Sequence, residues 1–458
     1  MAFHNAELDR DEKLVVERYF RDPASALRVI VATTTLAQGI NTPAEAVVVA
    51  ELDHPAGRGQ STPYAVAEYK NIVGRAGRLG FATSGQAFLL VEGPVDEERK
   101  WHRYVLGTPE DVRSTLLDPN ADTLTLVLRV LAAATPVAAS DGLSGMTRDG
   151  VVSFLSLSFA AHQATRDGRR AFDAAEVAAV VADLLRAGLA TEDTGAVALT
   201  ELGRLAGAGM VTARIVLRLA GFLSVVPPNQ LNRTALICAA QATDELDAVQ
   251  IPTNARGWQK ERATYGGVLY QQGAGAALDR LLQAERGLAI RRIKRAVACL
   301  LWMDGVNRSQ IDAVLTRHLP TRDGAAAAQA AASRTRDVID TVLQVAQLKH
   351  PTADLAELSE CLPVQLELRV PEALVPLARA AGQHLRRVDY LRLHAAGLAE
   401  PARVLETPEA ELLTLVGDDH RRLHALLDAA TRAHNSADDV VDITSLLAPP
   451  PEHDADSA

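Results

Sequence analysis

Two pieces of chain within residues 28–78 constrain the fold most: VIVATTTLAQGINTPAEAVVV and, after a loop, EYKNIVGRAGRLG. The β-branched run at 29–31 predicts a strand leading into a Thr-rich turn and Gly39, and 46–49 predicts a second strand. A strand ending in such a turn is a place where α/β folds hold ligands. Residues 64–73 predict a helix that ends in Gly74-Arg75-Ala76-Gly77-Arg78. Two guanidinium groups among small residues suit phosphate, because the planar fork binds anionic oxygens bidentately and stays charged.

These two pieces, in this order, resemble motifs V and VI of a superfamily-two helicase, in its second RecA-like domain. The resemblance implies that Arg75 and Arg78 act as arginine fingers on the γ-phosphate of ATP. Such groups stabilise charge that develops in phosphoryl transfer. It further implies that Gly39, Asn41 and Gly74 line the nucleotide, with Gly39 and Asn41 near its ribose, and that Thr33, Thr34 and Thr35 lie near the nucleic-acid backbone. Asn71 departs from the family, which usually has Gln there. A lone GRxGR would otherwise be a loop paired with surface carboxylates; its context favours the motif.

The opening Met1-Ala2-Phe3-His4-Asn5-Ala6-Glu7-Leu8 resembles the Phe-His-His-Ala-Gly-Leu segment of Ski-like (HelQ-like) helicases, with Asn5 and Glu7 departing from it. In that family a whole first motor domain comes before this point, as do a strand and a helix of the second. The sequence contains no GxxxxGK[ST] phosphate loop and no Asp-Glu-x-His motif for magnesium. ATP and Mg would then be shared with a first RecA-like domain on a partner protein or in sequence outside this chain, and the chain is expected not to hydrolyse ATP alone. An incomplete parallel sheet would also leave an edge and an apolar face uncovered.

At 458 residues about three domains are expected. No apolar run approaches the roughly 20 residues needed to span a bilayer, and the N-terminus lacks a secretory pattern, so a cytoplasmic protein without a membrane partner is expected. Cys238, Cys299 and Cys361 form no CxxC pair, which points away from structural zinc or a disulfide framework. A formal net charge of −10 leaves any nucleic-acid contact to a local basic track.

Along the chain, a helix is expected at 9–20 and a last motor strand at 85–91. Residues 174–187 predict a helix, and LATEDTGAVALT a hairpin turning at Asp193-Thr194-Gly195. Helix then hairpin is a winged-helix pattern, expected here to brace the motor because the helix is Ala- and Val-rich with little positive charge. Residues 200–348 read as nearly all helical. Within ERGLAIRRIKRAVACLLWMD, Arg291, Arg292, Lys294 and Arg295 form a cationic cluster, and Trp302 lies two turns after Arg295 on one face. Arg planes and indoles stack on unpaired bases. The alternative is that Trp302 is core and the cluster a solvated face. The family's ratchet helix carries an Arg and a Trp at this separation, so the resemblance implies that Arg291, Arg295 and Trp302 grip a single strand. Trp258 with Lys260 and Arg262 is a second candidate stacking site.

Pro351 and Pro363 are expected to punctuate the chain before residues 371–433, which resemble the family's helix-hairpin-helix tail. The turn Ala381-Gly382-Gln383-His384 has one Gly, a poor phosphate cradle, and leaves Arg386, Arg387 and Arg392 as backbone-contact candidates. His420 and His424 are one turn apart without a third ligand, so no metal site is expected.

The expected fold is α/β then mainly α: an incomplete second RecA-like helicase domain (1–108), a winged helix (109–206), a helical ratchet bundle (207–350), a helix-hairpin-helix-like domain (351–434) and an acidic, disordered tail (435–458). The function implied is the C-terminal half of an ATP-dependent helicase acting on single-stranded or branched DNA, or on RNA. The alternative is an ATP-independent single-strand-binding or regulatory subunit.

Overall fold

A computed structural model describes the chain apart from residues 6, 7, 9, 23, 34–43, 56–60, 78–83, 119, 135–144, 170, 210, 255, 318, 320–322 and 439–458. Most of the acidic tail therefore lies outside the described residues. The chain divides into two compact units, residues 1–114 and 115–458.

The first unit is built from parallel strand pairs whose crossovers contain helices, the connection that parallel pairing requires. Strand β1 (Ala2–His4) leads through α1 (Arg10–Arg21) to β2 (Ile30–Ala32), with Phe3 opposite Val31. Strand β3 (Ala46–Val49) is followed by the antiparallel pair β4 (Asp53–Pro55) and β5 (Ser61–Pro63), then α2 (Val66–Val73). The chain returns as β6 (Gln86–Leu89), parallel to β3 with Val48 opposite Phe88. Helix α3 (Pro94–Lys100) and a π-helical turn, Trp101–Val105, close the unit. Its small core joins Val49, Leu52, Tyr64, Val66, Tyr69 and Tyr104. Phe3, Val31, Val48 and Phe88 are exposed, so strand faces carry uncovered apolar side chains.

The second unit opens with α4 (Thr123–Ala134), β7 (Met146–Thr147), α5 (Arg148–Ser156), α6 (Phe159–Arg166) and α7 (Ala174–Arg186). Asp173 and Glu176 start α7 with a reciprocal capping box, in which the Glu176 N–H donates to Asp173 Oδ1 (2.8 Å). Strands β8 (Ala190–Asp193) and β9 (Ala196–Leu199) follow as the expected hairpin, turned by Thr194 and Gly195 at φ 49° and 82°. Positive φ at both central residues is the type I′ pattern, whose twist matches that of the paired strands. The sheet order is β7-β9-β8.

Helices then dominate: α8 (Glu201–Ala208), α9 (Ala213–Leu223), α10 (Arg233–Gln241), α11 (Asp244–Asp247), α12 (Trp258–Gln271), α13 (Gly275–Leu282), α14 (Arg286–Met303) and α15 (Arg308–Leu315). The 26-residue α16 (Gly324–Lys349) packs against α9, α10, α14, α15 and α17 (Ala356–Leu368). Buried Ala325, Ala328, Ala331 and Ala332 let neighbouring helices approach its first half closely. One core runs from Val127 to Leu366, across the expected boundary at 206–207. Pro363 lies inside α17 rather than punctuating the chain, and buried Leu362 and Leu366 on either side hold that helix in place. A second core, from Val370 to Ala430, joins α18 (Val375–Ala381), α19 (Arg387–Ala395), α20 (Pro401–Glu406), α21 (Glu409–Leu415) and α22 (His420–Asp438). Among the described residues no helix is long and apolar enough to cross a membrane.

Candidate functional sites

The turn bearing Arg75 is fixed by its backbone. Helix α2 ends at Gly74, and the chain then runs beside the start of β3. There the Ala44 N–H donates to the Arg75 carbonyl (3.2 Å) and the Gly77 N–H to the Ala44 carbonyl (3.0 Å). Gly77 has φ 63°, and a Cβ there would lie 2.4 Å from the Gly85 nitrogen. Only glycine permits this approach, since neither the left-handed conformation nor the clearance accepts a side chain. Gly77→Ala is therefore expected to destabilise the first unit by more than ~1 kcal/mol. A chemical-denaturation midpoint equal to that of the wild type would contradict it.

The other end of α2 is also held. The Glu110 carboxylate accepts from the Ala67 and Val66 N–H groups (3.0 and 2.7 Å), and these bonds keep its carboxyl below the ordinary value. An anion suits a helix N-terminus. Glu68 accepts from the Ala65 N–H (3.1 Å) and pairs with His54 (3.0 Å), while Lys70 Nζ donates to the Val105 carbonyl (2.6 Å). Arg75 is half-buried just past the end of a helix anchored at both ends. Gly74 is exposed beside it. Thr33 is exposed at the end of β2, its N–H donating to the His4 carbonyl (3.2 Å). Gly39, Asn41, Thr34, Thr35 and Arg78 lie outside the described residues.

In the second unit the cationic run on α14 is mostly turned inward. Arg295 is fully buried; it donates to Asp247 Oδ1 (2.8 Å), Gln241 Oε1 (3.1 Å) and the Val249 carbonyl (3.2 Å). Arg292 Nε reaches the same Asp247 oxygen at 2.9 Å. Lys294, also fully buried, donates to Glu261 Oε1 (2.7 Å) and lies 5.0 Å from the Tyr265 ring centre. Burial pulls the Lys294 ammonium below its ordinary value while Glu261 pulls it back up. Arg291 is half-buried.

Trp302 is 3% exposed, and the Arg369 guanidinium covers its ring at 3.9 Å. The two-turn spacing does place Arg295 and Trp302 on one helix face, but that face is packed against Asp247, Gln241 and Arg369. Both side chains are buried on that face in this structure. Charge runs are ordinarily solvated; here acids from α11 and α12 meet this one inside the fold, and helical spacing alone does not register that.

On α12, Trp258 is partly exposed and stacks against the Arg286 guanidinium at 4.5 Å. It begins an open groove of about 520 Å³ shared with α13. The sequence singled out Trp258, Lys260 and Arg262 but not Tyr270, the other exposed ring of the groove. The available signal was the four-residue step that relates 258, 262, 266 and 270.

In the hairpin-like tail, Arg387 donates to the Gly305 carbonyl (2.9 Å) and is committed to packing. Arg386 caps the start of α19, its N–H donating to Asp389 Oδ2 (2.9 Å), and Arg392 Nη1 donates to the Leu415 carbonyl (3.4 Å).

Residues 1–80 match the helicase conserved C-terminal domain. This match and the relatives below support a helicase C-terminal portion in this chain. In particular, 207 residues are 36% identical to the ATP-dependent DNA helicase Hel308 of Pyrobaculum calidifontis, covering 44% of this chain and 27% of that protein. Similarity to Hel308 of Caldivirga maquilingensis is 33% over 163 residues (36% and 20%), and to that of Aeropyrum pernix 38% over 116 residues (25% and 15%). These matches span about a quarter or less of the relatives' length.

Proposed function

We propose that this chain is the C-terminal portion of a Ski-like, HelQ-like ATP-dependent DNA helicase. Residues 1–114 supply the second RecA-like half of the motor, with Arg75 and Arg78 directed to the γ-phosphate and Gly39, Asn41 and Gly74 toward the rest of the nucleotide. The observation that supports this reading is the Gly74–Gly77 turn, bonded through its backbone to Ala44 and lying close against Gly85. A pre-positioned cation pays no reorganisation cost when charge develops. When bound, Mg–ATP supplies the phosphoryl group passed to water. The phosphate loop and magnesium carboxylate belong to a first RecA-like domain, on the same polypeptide or on a partner.

The exposed apolar pairs Phe3–Val31 and Val48–Phe88 fit a unit that docks against further protein. The hairpin after α7 supports a winged helix, and α19 to α22 a helix-hairpin-helix-like tail. Single-stranded DNA is contacted on the outer surface of the helical unit, with Arg291 as the outward member of the cationic run.

The test is ATP hydrolysis with and without single-stranded DNA, the phosphate-loop domain being supplied fused or as a separate protein. DNA-stimulated hydrolysis that requires residues 1–114 is expected. No hydrolysis in any combination, with single-strand binding retained, would overturn the motor assignment and leave an ATP-independent binding subunit.

A further inference from the structure

We propose that the groove between α12 and α13 is a base-stacking site for single-stranded nucleic acid, bounded by Trp258 and Tyr270. It rests on the reading of the helical unit as a single-strand binder and assigns that contact to particular residues. Trp258, Arg262, Gly266 and Tyr270 follow one another at four-residue steps, so they form one ridge along α12. Twelve residues of helix set the two positions roughly 18 Å apart along the axis, the length of about five stacked bases.

Tyr270 is 71% exposed, unusual for a large ring in a well-packed unit. Trp258 already carries a planar cation on its face, the geometry a nucleobase would adopt in its place. Between Arg262 and Tyr270 the helix surface is bare of side chains at Gly266 and Gly267. A Cβ on Gly267 would meet nothing within 4 Å, and one on Gly266 would meet only the Leu278 methyls at 3.5 Å. Ala263, Leu278 and Leu282 complete an apolar floor. Glycines cost helix stability at these positions, about 1 kcal/mol each relative to Ala, and an open channel is what they leave.

The charge at the rim selects the ligand. Exposed Arg262 lines the groove and Arg286 lies over Trp258, against one acid in the lining, Asp279. Flat apolar faces at base-stack scale, rimmed by cations, match a strand whose bases turn inward and whose phosphates face out. An acidic peptide would satisfy the cations but leave the stacking faces unused.

The test is fluorescence anisotropy of a short labelled oligothymidylate, and of oligouridylate, with the full chain. Trp258→Ala and Tyr270→Ala are each expected to weaken binding about tenfold, and Arg262→Ala to reduce the slope of log affinity against log salt by about 1. Gly267→Glu guards against misfolding, since it removes no contact, improves helix propensity and puts an anion in the channel. It is expected to keep the wild-type melting temperature and to bind at least tenfold more weakly.

Wild-type affinity in folded Trp258→Ala, Tyr270→Ala and Gly267→Glu would overturn the groove while leaving the single-strand-binding reading standing, and would point to another ligand there. If the wild-type chain binds neither oligonucleotide, the groove proposal fails together with the reading beneath it.

Discussion

Arg75→Ala is expected to lower kcat for DNA-stimulated ATP hydrolysis by about 10³-fold or more once the phosphate-loop domain is present. The size follows from where the charge acts. A guanidinium aimed at the transferring phosphoryl group, away from water, stabilises charge that exists only in the transition state, so its loss appears in kcat more than in KM. The backbone bonds of the turn, between Ala44, Arg75 and Gly77, are kept by alanine, and the denaturation midpoint of the variant checks that the fold survives. Arg75→Lys should recover little, since an ammonium is a point charge without the bidentate fork. Gly77→Ala is the informative contrast: it should impair the same activity by loosening the turn, with a larger fall in the denaturation midpoint than Arg75→Ala shows. Hydrolysis by Arg75→Ala within tenfold of wild type would remove Arg75 from the catalytic assignment.

Legibility from sequence followed how local each constraint is. Strand β3 was expected at 46–49 and is found at Ala46–Val49, because a β-branched run between turn residues specifies itself. The hairpin at Asp193-Thr194-Gly195 and the capped helix α7 were equally plain, each set by residues within a few positions. The GRAGR turn was readable as a motif, but the reason for Gly77 was not: it lies in the approach of Gly85, eight residues on and across a sheet edge.

Long-range partners were out of reach. Nothing near Arg295 in sequence announces Asp247, 48 residues earlier, and nothing near Trp302 announces Arg369. A helix as enclosed as α14, touched by α10, α12, α13, α15, α16 and α17, cannot keep four cations solvated. The cations were therefore visible and their side of the fold was not. Pro363 failed for the related reason that tertiary packing overrides a local breaker: Leu362 and Leu366 are buried and hold α17 through it.

The same enclosure makes Asp247 the residue whose loss should cost the second unit most stability. Its carboxylate receives Arg292 and Arg295, and Arg295 is fully buried. Burial pushes the Asp247 carboxyl up, but the bonds and charges of the two guanidinium groups outweigh it and hold the carboxyl below the ordinary range. On the other side, burial pulls the Arg295 guanidinium down against the same pairing. An arginine starts so high that it remains charged regardless, so the contact is ionic. Removing the anion then leaves a buried, uncompensated cation, and Asp247→Ala is expected to destabilise by roughly 3–5 kcal/mol. Replacing the pair as a whole should be far milder: Asp247→Leu with Arg295→Met removes both buried charges and should recover much of the loss, although Arg292 loses its partner too.

The pH dependence has a fixed sign. With the folded value depressed, the stabilisation is fully present above the unfolded carboxylate value of about 3.9 and is lost as pH falls through the folded value. Urea unfolding of wild type and Asp247→Asn should accordingly differ most near neutrality and converge in acid. A difference that stays constant down the acid limb would mean that Asp247 acts by shape and not by charge.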